Sequence, residues 1–136
     1  MNNCKTGHAV QTCSILFVDD DVELAQSIQR YYRRDPAISL DIALSGLDAI
    51  RNTENKHYDV IIADWRMPTM NGVELLLILS RRVPNSKLVL ATAYPEAKRI
   101  SKVVNEAGVR MVLIKPIDLR ELRESLIRLS YEPDGA

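Results

Sequence analysis

The sequence predicts an α/β fold in which helices cover both faces of a five-stranded parallel sheet, the doubly wound arrangement, and three observations predict it. Short apolar, β-branched runs alternate along the chain with segments of helical periodicity. Each of the last four runs follows a plausible helix and a turn signal, as right-handed crossovers between parallel neighbours require. Four of the runs close on polar groups, Asp19-Asp20, Asp64, Thr92 and Lys115. In a parallel sheet those carboxyl ends lie side by side, over the crevice where open α/β sheets bind ligands.

The elements follow in order. Residues 1–13 are polar and aperiodic and are expected to form a flexible arm. Order begins at Ser14 with a strand over 14–19. A helix is predicted over 21–34, with Leu24, Ile28 and Tyr31 on its inner face and Arg30, Arg33 and Arg34 at the end where the helix dipole favours cations. Asp35-Pro36 stops it, and a strand follows over 38–44. Ser45-Gly46 opens a short helix through Leu47 and Ile50, which the polar stretch 52–56 closes before a strand over 58–63. The helix over 72–83 places Leu75, Leu76, Leu79 and Val83 on one face, and Pro84-Asn85 ends it. After the strand 87–92, the next helix has Pro95 in its first turn, Ala97, Ile100, Val104 and Ala107 along its length, and Gly108 at the left-handed cap position. A strand over 110–115 leads to the last helix, which opens with Asp118 and Glu121 at capping-box spacing and turns Leu119, Leu122, Leu126 and Leu129 inward. Pro133-Asp-Gly ends the pattern, leaving 131–136 as a tail.

At 136 residues with 46% hydrophobic composition, the chain suits one domain, 14–130, with a single sizeable core. Lys plus Arg equals Asp plus Glu at 18 each, so the electrostatic footprint of a nucleic-acid or membrane binder is missing. No signal peptide or membrane-length apolar run is present, and a cytoplasmic protein is expected. Cys4 and Cys13 read as reduced thiols. With His8 they make only three ligands, short of a structural zinc set. His8 and His57 are the only histidines, which leaves little for a Ser/His/Asp hydrolase, and the P-loop pattern is absent.

The polar groups at the strand ends are acid, acid, hydroxyl and amine. Taken singly each has an ordinary explanation: Asp19 to Asp21 as helix caps, Thr92 as a β-former, Lys115 as a surface charge. Asp64 is harder to set aside, because a carboxylate closing the apolar run 60–63 needs a partner or water. Together they describe a site. Clustered carboxylates repel unless a cation lies between them, and a hydroxyl and a lysine beside them suit an anionic group such as a phosphoryl. The set reads as a magnesium-assisted phosphorylation site on Asp64.

Phe17-Val-Asp-Asp20, Ile62-Ala-Asp-Trp-Arg-Met-Pro68 with Asn71-Gly72, Leu90-Ala-Thr-Ala93 and Ile114-Lys-Pro116, in this order and spacing, resemble the receiver domain of bacterial two-component response regulators over roughly residues 14–130. The resemblance implies the flavodoxin-like strand order 2-1-3-4-5. It implies that Asp64 is the phosphoacceptor and that Asp19, Asp20, Asp64 and the backbone carbonyl of Arg66 hold magnesium, Asp19 directly or through a bound water. It implies that Thr92 and Lys115 contact the phosphoryl group, and that a cis peptide precedes Pro116. The partners it implies are a sensor histidine kinase or phosphotransfer protein and a downstream effector or fused output domain. Catalysis would extend at most to the protein's own phosphorylation and dephosphorylation. A fainter likeness, in Asn105-Glu-Ala-Gly108 and Tyr131-Glu-Pro133, is to receivers joined to phosphodiesterase-type outputs, and it is too slight to decide an output.

Three features depart from the commonest pattern. Val112 occupies the switch position where many members carry an aromatic residue, which leaves open whether the familiar coupled threonine and aromatic movement operates here. Arg66 and Tyr94, two residues beyond Asp64 and Thr92, are expected to shield an acyl phosphate from water. Leu77 and Ile78 fall outside the inner arc of their helix, which leaves a partner or dimer surface balanced against scattered surface aliphatics. Two alternatives stand beside the phosphorelay switch. One is a pseudo-receiver, a phosphorylation-independent interaction module. The other is a small-molecule enzyme with a sheet-end carboxylate; a phosphatase of the haloacid dehalogenase type expects a second Asp where Arg66 stands.

Overall fold

Apolar runs buried on both faces belong in the middle of a covered sheet, and the three runs 15–18, 60–63 and 88–91, all buried, take those places. The structure, a computed structural model, describes residues 12–133. Strands β1 (Cys13–Val18), β2 (Ile38–Ala43), β3 (Val60–Asp64), β4 (Lys87–Thr92) and β5 (Val109–Ile114) form one parallel sheet in the order β2-β1-β3-β4-β5. Phe17 lies opposite Ile42 on one side and Ile62 on the other, Ile62 opposite Val89, and Val89 opposite Met111. The order turns back at β1, so a crevice opens at the carboxyl ends of β1 and β3.

Side chains alternate across a strand, and the alternation divides the core into two clusters. Leu16, Val18, Ile61, Ala63, Leu88 and Leu90 face one side. There they meet Ala49 of α2 (Gly46–Asn55), Leu75, Leu76 and Leu79 of α3 (Gly72–Arg82), and Val103 and Ala107 of α4 (Ala97–Ala107). Ile15, Phe17, Val60, Ile62, Val89 and Ala91 face the other. Their partners are Ala25, Ile28 and Tyr32 of α1 (Val22–Tyr32) and Leu122, Leu126 and Leu129 of α5 (Leu119–Ser130). Each fully buried side chain of this size contributes about 1.5–3 kcal/mol.

Polar contacts fasten α1 to α5. The Tyr32 hydroxyl donates to the Leu119 carbonyl, and Arg123 grips Asp35 at 2.5 Å through Nε and 3.3 Å through Nη2. The Arg123 bond holds the Asp35 carboxyl below its ordinary range. Burial pushes the Tyr32 hydroxyl up.

Several expectations are corrected. β1 starts at Cys13, not Ser14; that cysteine is buried and its Sγ lies 3.7 Å from the Leu126 carbonyl, so it belongs to the core and not to the arm. Cys4 and His8 lie outside the described residues. The inner face of α1 runs through Tyr32, 1% exposed, while Tyr31 is 51% exposed and meets the Tyr32 ring edge-on. Tyr32 lies seven residues after Ala25, two turns of helix, and there it fills the gap beneath α5. α2 ends inside the polar stretch 52–56, at Asn55 with Lys56 as its C-cap, but Leu47 is exposed beside buried Ala49. Pro95 precedes the Glu96 N-cap of α4, and Val103, not Val104, is the buried valine. β3 begins at Val60, with Tyr58 buried in the preceding turn, and β5 begins at Val109. Asp118 accepts N–H bonds from Arg120 and Glu121 without a return bond; the reciprocal capping box joins Asn71 and Glu74 on α3.

Candidate functional site

The carboxyl ends of β1, β3, β4 and β5 bring the strand-end polar groups together. Asp19 follows β1 directly and is 1% exposed, Asp20 is exposed at the rim, and Asp64 is the last residue of β3 and buried. Carboxylate oxygens of the three lie within 4.8 Å of one another. Lys115, just past β5, reaches between two of them, with Nζ 2.8 Å from Asp19 Oδ2 and 2.9 Å from Asp64 Oδ1. The Lys115–Pro116 peptide bond is cis. Burial pushes the Asp64 carboxyl above its ordinary value, and the charges of Asp19 and Asp20 add to this against the opposing Lys115 bond. Burial pulls the Lys115 ammonium the other way, but its bonds to Asp19 and Asp64 outweigh that and raise it.

Three carboxylates therefore face one ammonium. Two negative charges stay uncompensated when all the groups are ionised, and an all-oxygen donor set of that charge fits a hard divalent cation such as magnesium. Asp19 Oδ1 is already taken by the Asp21 N–H at 2.9 Å, which fixes the carboxylate's orientation. Of the acidic triplet only Asp21 caps α1, its side chain accepting the Leu24 N–H.

Backbone contacts hold Asp64 in place. The Trp65 N–H donates to the Ala91 carbonyl at 2.9 Å, and the Gly72 N–H to the Trp65 carbonyl at 2.7 Å. A Cβ at Gly72 would stand 2.1 Å from the Asp64 carbonyl oxygen and 3.0 Å from the Trp65 Cα. Only glycine lets the start of α3 come this close. The reason for Gly72 was not legible in the sequence, because the contact depends on how the loop between 64 and 72 folds back.

Thr92 ends β4, 2% exposed, and its Oγ1 accepts the Tyr94 N–H at 3.1 Å, so the hydroxyl proton is left for another acceptor. Its carbonyl accepts the Lys115 N–H at 2.9 Å, tying the hydroxyl and the amine to one frame. Tyr94 is 70% exposed. Arg66 is exposed too, and its guanidinium reaches Glu96 at 3.5 Å. Nothing in the sequence pairs these two residues, thirty positions apart. Val112 pairs with Leu90 across β4 and β5 and packs, partly buried, against the core. Leu77 also packs against that core and, with Trp65, Val73 and Val103, lines a 240 Å³ groove between α3 and α4. Ile78 is partly buried, so the aliphatic surface of α3 is smaller than its sequence suggests. Among the described residues, no helix is long and apolar enough to cross a membrane.

A doubly wound parallel sheet with an acidic cluster and a lysine at its carboxyl edge defines a class of α/β proteins whose ligands meet the strand ends. Comparison with known proteins narrows the class. The family described as response regulator receiver domain matches residues 15–127, and the chain belongs to that family. It is 36% identical over 130 residues to the cyclic di-GMP phosphodiesterase response regulator RpfG of Xanthomonas campestris pv. campestris, covering 90% of this chain and 34% of the relative. It is 31% identical over 112 residues to the transcriptional regulatory protein ZraR of Salmonella typhimurium, covering 82% of this chain and 25% of the relative. The chain spans 25% of ZraR and 57% of the response regulator protein VraR of Staphylococcus saprophyticus, so it covers only part of these relatives' length. A signal receiver domain of an HD domain-containing protein from Pseudomonas fluorescens Pf-5 superposes with a TM-score of 0.79 at 28% identity, over 90% of this chain and all of that one. The response regulator TrrA from Thermotoga maritima, in complex with Mg(2+)-BeF, shares the fold at a TM-score of 0.74 and 24% identity, over 87% and 99% of the two chains.

Proposed function

We propose that this chain is a phosphorylation-controlled switch of a two-component phosphorelay, with Asp64 as the phosphoacceptor. The observation that carries the reading is the excess of carboxylate over ammonium at the carboxyl edge, where Lys115 bridges Asp19 and Asp64 and two charges stay uncompensated. An Asp64 carboxylate oxygen attacks the phosphorus of a phosphohistidine on a sensor kinase or phosphotransfer protein, or of a small phosphodonor. From phosphohistidine the new O–P bond forms as the P–N bond breaks, and the electron pair returns to the imidazole nitrogen, which takes up a proton; from acetyl phosphate the P–O bond breaks and acetate leaves with the electron pair. Magnesium held by Asp19, Asp20, Asp64 and the Arg66 carbonyl supplies charge neutralisation for the transferred group. Lys115 places its ammonium on one phosphoryl oxygen, and the free proton of Thr92 serves another. Arg66 and Tyr94 flank the product and slow its hydrolysis.

The protein acts on no separate substrate under this reading. It works in the cytoplasm and signals through an effector protein or an output domain, without contacting nucleic acid or membrane itself. RpfG is named a cyclic di-GMP phosphodiesterase and ZraR a transcriptional regulatory protein, and this chain covers only 34% and 25% of them, so their names do not select an output. Val112 favours a second reading, a phosphorylation-independent module, since no aromatic side chain is there to report the site's state.

The deciding experiment adds magnesium with acetyl phosphate or beryllofluoride and follows intact mass and the fluorescence of Trp65, with Asp64→Asn as control. A phosphoryl adduct or a fluorescence change that needs both magnesium and Asp64 is expected. No response to any donor would leave the interaction module.

A further inference from the structure

Helices α1, α2, α3 and α5 each begin at a side chain that accepts a backbone N–H: Asp21, Ser45, Asn71 and Asp118. α4 begins at Glu96, whose side chain makes no such bond. The Glu96 carboxylate is taken up by two arginines, with Oε1 3.5 Å from Arg66 Nη2 and Oε2 3.7 Å from Arg99 Nε. Arg99 belongs to α4 itself, but Arg66 comes from the loop after Asp64. One ion pair thus spans the mouth of the site, from the β3–α3 loop to the start of α4.

Both partners are at least half exposed, and exposed pairs contribute little and exchange readily. A phosphoryl group on Asp64, two residues from Arg66, would present the guanidinium with a doubly charged acceptor that it can grip through two N–H groups. That is a stronger partner than one solvated carboxylate. We propose that Arg66 is an exchangeable tether. It holds Glu96, and with it the start of α4, while Asp64 is bare, and it moves to a phosphoryl oxygen when Asp64 is modified, which releases the first turn of α4. The inference rests on the receiver reading above and deepens it, because it names a route from the site to a helix that does not need an aromatic residue at Val112. Coupling of this kind is reciprocal: whatever frees Arg66 from Glu96 must favour binding at Asp64.

The test is a titration of the full chain with beryllofluoride and magnesium at fixed ionic strength, followed by Trp65 fluorescence. It compares wild type, Glu96→Gln, Arg66→Ala and the double variant. Glu96→Gln is expected to bind about threefold more tightly, since Arg66 no longer has a competing partner. Arg66→Ala is expected to bind about tenfold more weakly. In the Arg66→Ala background, Glu96→Gln should change nothing. Hydrogen exchange adds a second readout: beryllofluoride should speed exchange at the first-turn amides of α4 in wild type, and Glu96→Gln should show the faster exchange before it is added. An equal gain from Glu96→Gln in both backgrounds would mean simple removal of a negative charge and would overturn the tether, as would no gain in wild type. Wild-type protein that binds no better than Asp64→Asn would overturn the receiver reading itself, and the tether with it.

Discussion

Two helices begin beside Asp64, and they are secured in opposite ways. α3 starts at a reciprocal capping box between Asn71 and Glu74, with Gly72 drawn against the Asp64 carbonyl. α4 starts without a side-chain cap, tied by exposed ion pairs of Glu96 with Arg66 and Arg99. The contrast separates two tasks. Backbone contact that admits no adjustment keeps the proposed phosphoacceptor in register, while weak charge contacts leave its neighbour free to respond. Reactive groups need positioning to within fractions of an ångström, whereas a switching element needs two states of similar energy.

The strongest way to break this comparison is Gly72→Ala. The added methyl meets the Asp64–Trp65 backbone, and a loss of about 3 kcal/mol or more is expected in urea denaturation, with the beryllofluoride response lost as well. A wild-type melt would show that the start of α3 yields as easily as that of α4. Next comes Asn71→Ala, which removes the capping box and should cost about 1 kcal/mol. Its counterpart Glu96→Ala removes only exposed pairs and should stay within about 0.5 kcal/mol of wild type. Equal costs would erase the distinction between the two helices.

The smallest effect fades in acid and tests the fastening of α1 to α5, remote from both helix starts. Arg123 depresses the Asp35 carboxyl below its ordinary value of 3.8. A depressed carboxylate stabilises the fold fully above its unfolded pKa, and that contribution fades as pH falls through the folded one. Wild type should therefore melt above Arg123→Ala at neutral pH, and the gap should close as pH drops below about 4. A gap unchanged down to pH 2 would show that the pair contributes packing rather than charge.

Much of this architecture was legible in the sequence, for reasons that individual residues make plain. Asp64, Thr92 and Lys115 stood out because parallel strands end on one edge, so topology converts distant positions into neighbours. Gly108 marked the end of α4 because its φ of 69° is one that glycine adopts freely. What escaped depends on contacts between elements. Tyr31 and Tyr32 both suit a helix interior, and only the position of α5, with the Leu119 carbonyl in reach of one hydroxyl, selects Tyr32. Asn71-Gly72 belongs to the motif that carries the resemblance, but the need for glycine there shows only when the loop brings it onto the Asp64 backbone. The pairing of Arg66 with Glu96 is a tertiary contact between exposed side chains, and no local pattern encodes it.

The bond pair of Lys115 has a consequence for how the protein passes through its life. Its ammonium sits between the two buried carboxylates and serves as a resident counter-ion, so the chain itself offsets part of their mutual repulsion. Under the proposed function, the lysine that would receive the transferred group is the same one that balances the bare site.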